Sequence, residues 1–219
     1  MTRSNLTEII IVLDRSGSMG SVQDATIEAF NSYLRSQLGG VGDVVMTLIQ
    51  FDDQYEPHFV ALPIARAVKL TRESYLPRGS TALFDAIGRT IRDSGERFSQ
   101  MPEPHRPGSV IFVIQTDGFE NASRKYSEPE INNMIAEHRD KYCWQFVFLG
   151  ANQDAISSAA KFGIEADAAL TYDSDAACTR AAWDSMEKCT LGFRAARATG
   201  KTPGTRWQFS ESDRRRSAN

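Results

Sequence analysis

A doubly wound, Rossmann-like α/β fold is what this sequence predicts, with a mostly parallel sheet, one antiparallel edge strand and helices on both faces. Three observations predict it. Four apolar runs, 9–13, 44–51, 110–114 and 144–149, are rich in β-branched and aromatic residues and nearly unbroken by polar ones, which is how strands buried on both faces read. Helical stripes fill the intervals between them, and strands alternating with helices imply a parallel sheet. A shorter piece, 55–61, follows Phe51 after only Asp52, Asp53 and Gln54. That link permits only a hairpin, so the piece is expected antiparallel and at an edge.

The helices follow in order. Ile27, Phe30, Leu34 and Leu38 share one face, and Gly39-Gly40 stops the helix they define. Phe84, Ile87, Ile91 and Phe98 make a second stripe. Ile131, Met134, Ile135 and His138 make a third, opened by a capping box of Ser127 and Glu130. Short helices are expected after Asn152 and Asp173, the latter continuing towards Ala198, with a last weak strand over 168–172. Beyond Gly200 periodicity is lost. The expected organisation is one domain over 1–199 and a loosely ordered tail over 200–219, with Trp207 and Phe209 as candidates to dock it.

Composition excludes more than it assigns. A chain of 219 residues, 41% hydrophobic and 24% charged, suits one soluble domain that needs no disulfide or structural zinc. The net charge of −3 hides a basic end: residues 187–219 carry eight Lys/Arg against three Asp/Glu. Arg214, Arg215 and Arg216 are too short a run for a nucleic-acid arm, so nucleic acid is not an expected partner. Cys143, Cys178 and Cys189 form no C-x-x-C pair, and no leader-like segment opens the sequence. Both fit a reducing compartment, so a cytoplasmic location is expected. Cys178 and Cys189 share a helical face with Ala182 and Met186 and read as small buried hydrophobes. No apolar run approaches the roughly 18 residues of a membrane span.

Two aspartates carry the chemistry. Asp14 follows the first apolar run and Asp117 the third, each before a turn containing glycine. In an open α/β sheet ligands bind beyond the carboxyl ends of the strands. Two carboxylates on such a rim are costly unless a cation sits between them. In Asp14-Arg15-Ser16-Gly17-Ser18, alternate positions of an extended loop turn three oxygens to one point. Oxygen donors without His or thiolate suit a hard cation such as Mg²⁺. Two carboxylates at most neutralise a divalent ion, and neutral hydroxyls leave it Lewis-acidic. A calcium-buffer loop fails by position, since Met19 and Ala25 stand where its glycine and glutamate belong.

Asp14-x-Ser16-x-Ser18, Gly79-Ser80-Thr81 opening a helix, and Thr116-Asp117-Gly118 after the fourth strand resemble the metal-ion-dependent adhesion site of von Willebrand factor A domains. The resemblance spans roughly residues 6 to 198. It implies that Ser16, Ser18, Thr81 and Asp117 form the inner group around a metal ion, some through water. Asp14 would hold the ion directly or through water. It implies Mg²⁺, with Mn²⁺ or Ca²⁺ as substitutes, and a partner protein whose Asp or Glu completes the metal shell. The Thr116 to Asn121 string is most similar to standalone bacterial and phage members, some thought to work beside AAA+ ATPases or tellurium-resistance-type proteins.

Blander readings stand beside these. Ser16 and Ser18 also suit a turn and a helix cap, and Thr81 suits a cap. Asp52 and Asp53 read as hairpin-turn residues, Asp85 as a first-turn acid of its helix, and Asn121 as an organiser of the loop after Asp117. His58, His105 and His138 are too scattered for a zinc motif. A Mg²⁺-dependent phosphatase or phosphotransferase is the enzyme alternative, but its general acid would stand two residues after Asp14, where this chain has Ser16. No phosphate-binding glycine loop, nucleophile elbow or dinucleotide fingerprint occurs, so no catalytic residue is assigned. A structural assembly subunit with a vestigial metal site is the other alternative.

Overall fold

The computed structural model describes residues 2–151, 154–199 and 207–218. Its centre is a six-stranded sheet in the order β3-β2-β1-β4-β5-β6. The strands are β1 (Arg3–Asp14), β2 (Asp43–Phe51), β3 (Tyr55–Pro63), β4 (Pro107–Thr116), β5 (Gln145–Ala151) and β6 (Ala169–Tyr172). All pair in parallel except the edge hairpin β2–β3. The helices are α1 (Gln23–Leu38), α2 (Leu83–Gln100), α3 (Glu128–Tyr142), α4 (Ala155–Lys161), α5 (Ala176–Ala198) and α6 (Glu211–Ser217). The fold class is therefore the expected one.

The four apolar runs became β1, β2, β4 and β5 because every one of Ile9 to Leu13, Ile111 to Ile114 and Val147 to Leu149 lies almost wholly out of solvent. β1 runs back to Arg3, further than expected, through exposed polar residues that carry no hydrophobic signal. Glu8, just before its apolar run, is fully buried, held by Arg97 of α2 and by the Thr47 hydroxyl at 2.9 Å. The chain steps one way from β1 to β2 and the other way from β4 to β6, so right-handed crossovers place helices on opposite faces. α1 packs with α5, and α2 with α3. The reversal lies between β1 and β4, which opens a crevice at their carboxyl ends. Register aligns that end: Asp14 pairs with Phe51 of β2, and Leu13 with Gln115 of β4.

The C-terminal segment differs from the loose tail expected over 200–219. Residues 200–206 lie outside the described residues, but 207–218 pack against α5 and β6. Trp207 and Phe209 are buried against each other, 6.0 Å between ring centroids. Phe209 N–H donates to the Asp167 carbonyl at 2.9 Å, and Asp173 N–H to the Ser217 carbonyl at 3.1 Å. Among the described residues, three arginines of the basic end bond to backbone or side chains of the domain. Arg194 donates to Gln37 and Gly42, Arg197 to Gly108 and Ser109, and Arg214 to the Ala166 and Ala169 carbonyls. Cys178 is buried as expected, while Cys189 is half-buried, its thiol 3.3 Å from the Gln208 carbonyl. Asn152, expected to precede a helix, lies outside the described residues; α4 begins at Ala155 with Asp154 as its cap. Among the described residues, no helix is long and apolar enough to cross a membrane.

Candidate functional site

Three loops meet at the crevice. The first leaves β1 at Asp14, whose side chain is fully buried. One carboxylate oxygen accepts the Ser16 N–H at 2.6 Å and the other the Thr116 hydroxyl at 2.5 Å. The buried Tyr75 hydroxyl donates to the Asp14 carbonyl at 2.6 Å. These bonds fix the loop so that the Ser16 and Ser18 hydroxyls stand side by side, 3.1 Å apart. The Ser18 hydroxyl donates to Asp117 Oδ1 at 2.6 Å, joining the first loop to the one that follows β4.

The second loop brings Thr81. Gly79 has φ +66°, a left-handed turn, and its carbonyl accepts the Gly17 N–H at 3.2 Å. Thr81 is then held on both sides by backbone bonds. Its N–H donates to Asn121 Oδ1 at 2.9 Å, and its carbonyl accepts the N–H groups of Asn121 and Ala122 at 3.0 and 3.2 Å. Its hydroxyl is turned to Gly118. A Cβ on Gly118 would lie 3.0 Å from Thr81 Oγ1, 3.7 Å from Ser18 Oγ and 3.9 Å from Ser16 Oγ. One small volume beside a glycine thus touches hydroxyls from two of the loops, with the Asp117 carboxylate bonded to one of them. All five residues singled out in the sequence, Asp14, Ser16, Ser18, Thr81 and Asp117, come together here.

Thr81 does not cap α2. That helix starts after Ala82, whose side chain has nothing to offer, and its first N–H groups are satisfied from the third loop. Phe84 N–H donates to Glu120 Oε2 and Asp85 N–H to the Ser123 hydroxyl, both at 3.0 Å. Asp85 returns the bond, its carboxylate accepting the N–H groups of Arg124, Lys125 and Tyr126 at 2.8 to 3.0 Å. Asp85 therefore ties down a neighbouring loop as well as sitting in its own helix's first turn. Asn121 organises the loop as expected. Nothing in the sequence signals Tyr75, whose partner Asp14 is 61 residues away, or the bond that Glu120 accepts from the Phe84 N–H, 36 residues away.

The electrostatics of the rim are unbalanced. Burial pushes the Asp14 carboxyl up to about 6, against hydrogen bonds from Thr116 and Ser16 that hold it down. Burial likewise raises Asp117, opposed by the Ser18 hydroxyl. Among the described residues no basic side chain hydrogen-bonds to either. Ser18 is exposed and Asp117 half-buried, so the site opens at the surface. Asp52, one residue beyond the end of β2, behaves as a structural hairpin residue: it is buried between Arg15 Nε at 3.1 Å and Arg78 Nε at 2.8 Å. A second acidic group, Asp173, Asp175 and Cys178, lies at the start of α5. There Asp175 caps the helix, accepting the N–H groups of Ala177 and Cys178 at 2.8 Å each.

No family model matches the sequence, and no curated protein does either. Solved structures do match. Proximal thread matrix protein 1 from the mussel byssus, solved with a zinc-occupied metal-ion-dependent adhesion site, is 14% identical with a TM-score of 0.57 over 88% of this chain. A von Willebrand factor type A protein from Catenulispora acidiphila is 16% identical with a TM-score of 0.55 over 85% of this chain. The pilus adhesin SpaC from Lactobacillus rhamnosus GG, in an open conformation, is 14% identical with a TM-score of 0.60 over 83%. The chain spans about half the length of the mussel protein, 48%, and 42% and 29% of the other two. At these identities the likeness establishes the fold: a von Willebrand factor A-type α/β sheet.

Proposed function

We propose that the chain is a metal-dependent protein-binding module. The Ser16, Ser18 and Thr81 hydroxyls and the Asp117 carboxylate would hold one Mg²⁺, with Asp14 behind them acting through water, since both its oxygens are already engaged. The observation that carries the reading is the convergence of the Ser16, Ser18 and Thr81 hydroxyls beside Gly118, with the Asp117 carboxylate bonded to Ser18. The donor set fits a small hard cation. An octahedral ion with Mg²⁺–oxygen distances near 2.05 Å has neighbouring ligand oxygens about 2.9 Å apart. The Ser18–Asp117 and Ser16–Ser18 oxygen pairs stand 2.6 and 3.1 Å apart. Mn²⁺ or Ca²⁺ would substitute. When bound, the ion supplies a Lewis-acidic position for an Asp or Glu carboxylate of a partner protein. The zinc-occupied site in the mussel structure is support from a shared fold.

The chain's own residues do the rest. Asp14 orients the Ser16 N–H and the Thr116 hydroxyl, Asn121 orients Thr81, and Gly118 leaves the space open. Hydrolysis is not part of this reading, because Ser16 stands where a phosphatase of this type needs its second aspartate. An intracellular setting belongs to this reading on the odd cysteine count of the sequence. The test is calorimetric titration of Mg²⁺ or Mn²⁺ into metal-free protein. Wild type should give a saturable heat, and Asp117→Ala should give none while melting at an unchanged temperature. A variant that loses the heat only because it unfolds would make the site structural. Partner capture that persists in chelator would also count against the reading.

A further inference from the structure

A groove of about 880 Å³ lies beside the site, along α2 as far as Arg92. Ser80, Ala82 and Asn121 line its inner end, and these residues flank Thr81 or hydrogen-bond to it. Its outer part carries Arg89, Arg92, Arg124 and Lys125. Arg89 stacks on the Tyr55 ring at 4.1 Å and shares one carboxylate, Asp93, with Arg92. Arg124 and Lys125 are exposed, and among the described residues neither has an acidic partner for its side chain. Two lining acids oppose them. Asp85 is occupied by three backbone N–H groups, and Asp53 lies on the far wall beside Gly79. In a chain of net charge −3, this is a locally basic groove next to a rim that would take a carboxylate.

We infer that this groove holds further acidic residues of the same partner segment whose first carboxylate is taken at the metal, so that the partner is an acidic peptide and not a single acidic side chain. The inference rests on the metal-dependent reading above. From Asp85 to Arg92 the helix rises about 10 Å, at roughly 1.5 Å per residue. An extended peptide covers that in about three residues. The stretch beside Asp85 to Arg92 therefore takes about three residues of the segment, beyond those that reach it from the metal-bound carboxylate, with acids placed to meet Arg124 and Lys125 and, across from them, Arg89 and Arg92.

The test uses fluorescence anisotropy with three labelled probes in Mg²⁺: a peptide with one aspartate among Gly and Ser, the same peptide with three more acids after it, and a single-stranded oligonucleotide of equal charge. The four-acid peptide should bind about tenfold tighter than the one-acid peptide. The Arg124→Ala/Lys125→Ala double variant should erase most of that gain, at a few-fold per lost exposed pair. It should keep its Mg²⁺ heat and its affinity for the one-acid peptide. Equal affinity of the two peptides, or a double variant with the gain intact, overturns the groove and leaves the metal reading standing. Tighter binding of the oligonucleotide overturns the choice of partner. Loss of both peptide signals together with the Mg²⁺ heat in wild type overturns the metal reading instead.

Discussion

Asp14 and Asp52 stand at the ends of neighbouring strands, β1 and β2, and both are fully out of solvent. Their surroundings diverge. Asp52 lies between two guanidinium groups, Arg15 at 3.1 Å and Arg78 at 2.8 Å, and those arginines reach on to Glu56. Arg15 is itself buried, and the pair of arginines holds the Glu56 carboxyl down to about 2. Asp14 receives only neutral donors, a backbone N–H and a hydroxyl. An ionised carboxylate in a dry site needs a countercharge. At the end of β2 the chain supplies it from its own sequence; at the end of β1 it supplies oxygens and open space. The first arrangement is a clamp between loops, and the second has the character of a receptor for a cation.

Removing each carboxylate should separate the two roles, and the clamp should give the larger effect on stability. Asp52→Ala leaves buried Arg15 without its innermost partner, and breaking a buried pair in this way costs about 3–5 kcal/mol. Urea unfolding should show that loss with the slope unchanged, and the folded fraction should still take up Mg²⁺. A loss below about 1 kcal/mol would mean that Glu56 alone satisfies Arg15, and the contrast between the two strand ends would weaken.

The receptor side should show its difference through pH. The Asp14 carboxyl titrates at about 6 in the folded chain, above the roughly 3.9 of an unfolded aspartate. Between those values the folded state holds the proton more tightly. Its contribution to metal-free stability is therefore fully present below pH 4 and lost as pH rises through 6. The two-unit shift corresponds to about 3 kcal/mol at 1.36 kcal/mol per unit. Asp14→Asn should abolish that slope, so the stability difference between variant and wild type should grow in the variant's favour from pH 4 to 7. Saturating Mg²⁺ should close the gap by stabilising wild type alone. A difference curve that stays flat over this window would mean that Asp14 is solvated or already paired.

How much of this was legible in the sequence follows from the range of each interaction. The sheet was legible because Ile9 to Leu13 and Ile111 to Ile114 are buried on both faces, a local pattern that survives without knowledge of neighbours. The meeting of the five oxygen-bearing residues was foreshadowed by the alternation of Asp14, Ser16 and Ser18 in one loop and by Asp117 at a strand end, whereas Thr81 entered through the resemblance alone. The Asp52 clamp was not, since its partners lie 37 and 26 residues away and Asp is common in hairpin turns. Nor was the role of Glu120, which reaches 36 residues to an N–H group of α2. The C-terminal segment misled for the opposite reason. Its mixed polar composition read as loose, while its order comes from the burial of Trp207 and Phe209 and from backbone carbonyls accepting Arg214.

The smallest effects should come from two glycines, one on each side of the comparison. Gly118 needs no unusual backbone angle, and a methyl there would press on Thr81 Oγ1 at 3.0 Å while merely touching Ser18 and Ser16. Gly118→Ala should thus cost metal-free stability no more than about 1 kcal/mol, since only the Thr81 hydroxyl has to give, yet occupy part of the volume an ion would need. Mg²⁺ affinity should fall about tenfold, or 1.4 kcal/mol, in the calorimeter. Gly79→Ala should do the reverse. At φ +66°, with its Cβ 2.4 Å from Asp53 Oδ1, alanine should cost about 1–2 kcal/mol of stability from the backbone alone, with Mg²⁺ still bound by the folded protein. Equal losses of affinity and stability in both variants would mean that clamp and receptor are one cooperative unit, in which the countercharge of Asp52 also sets the shape of the rim around Asp14.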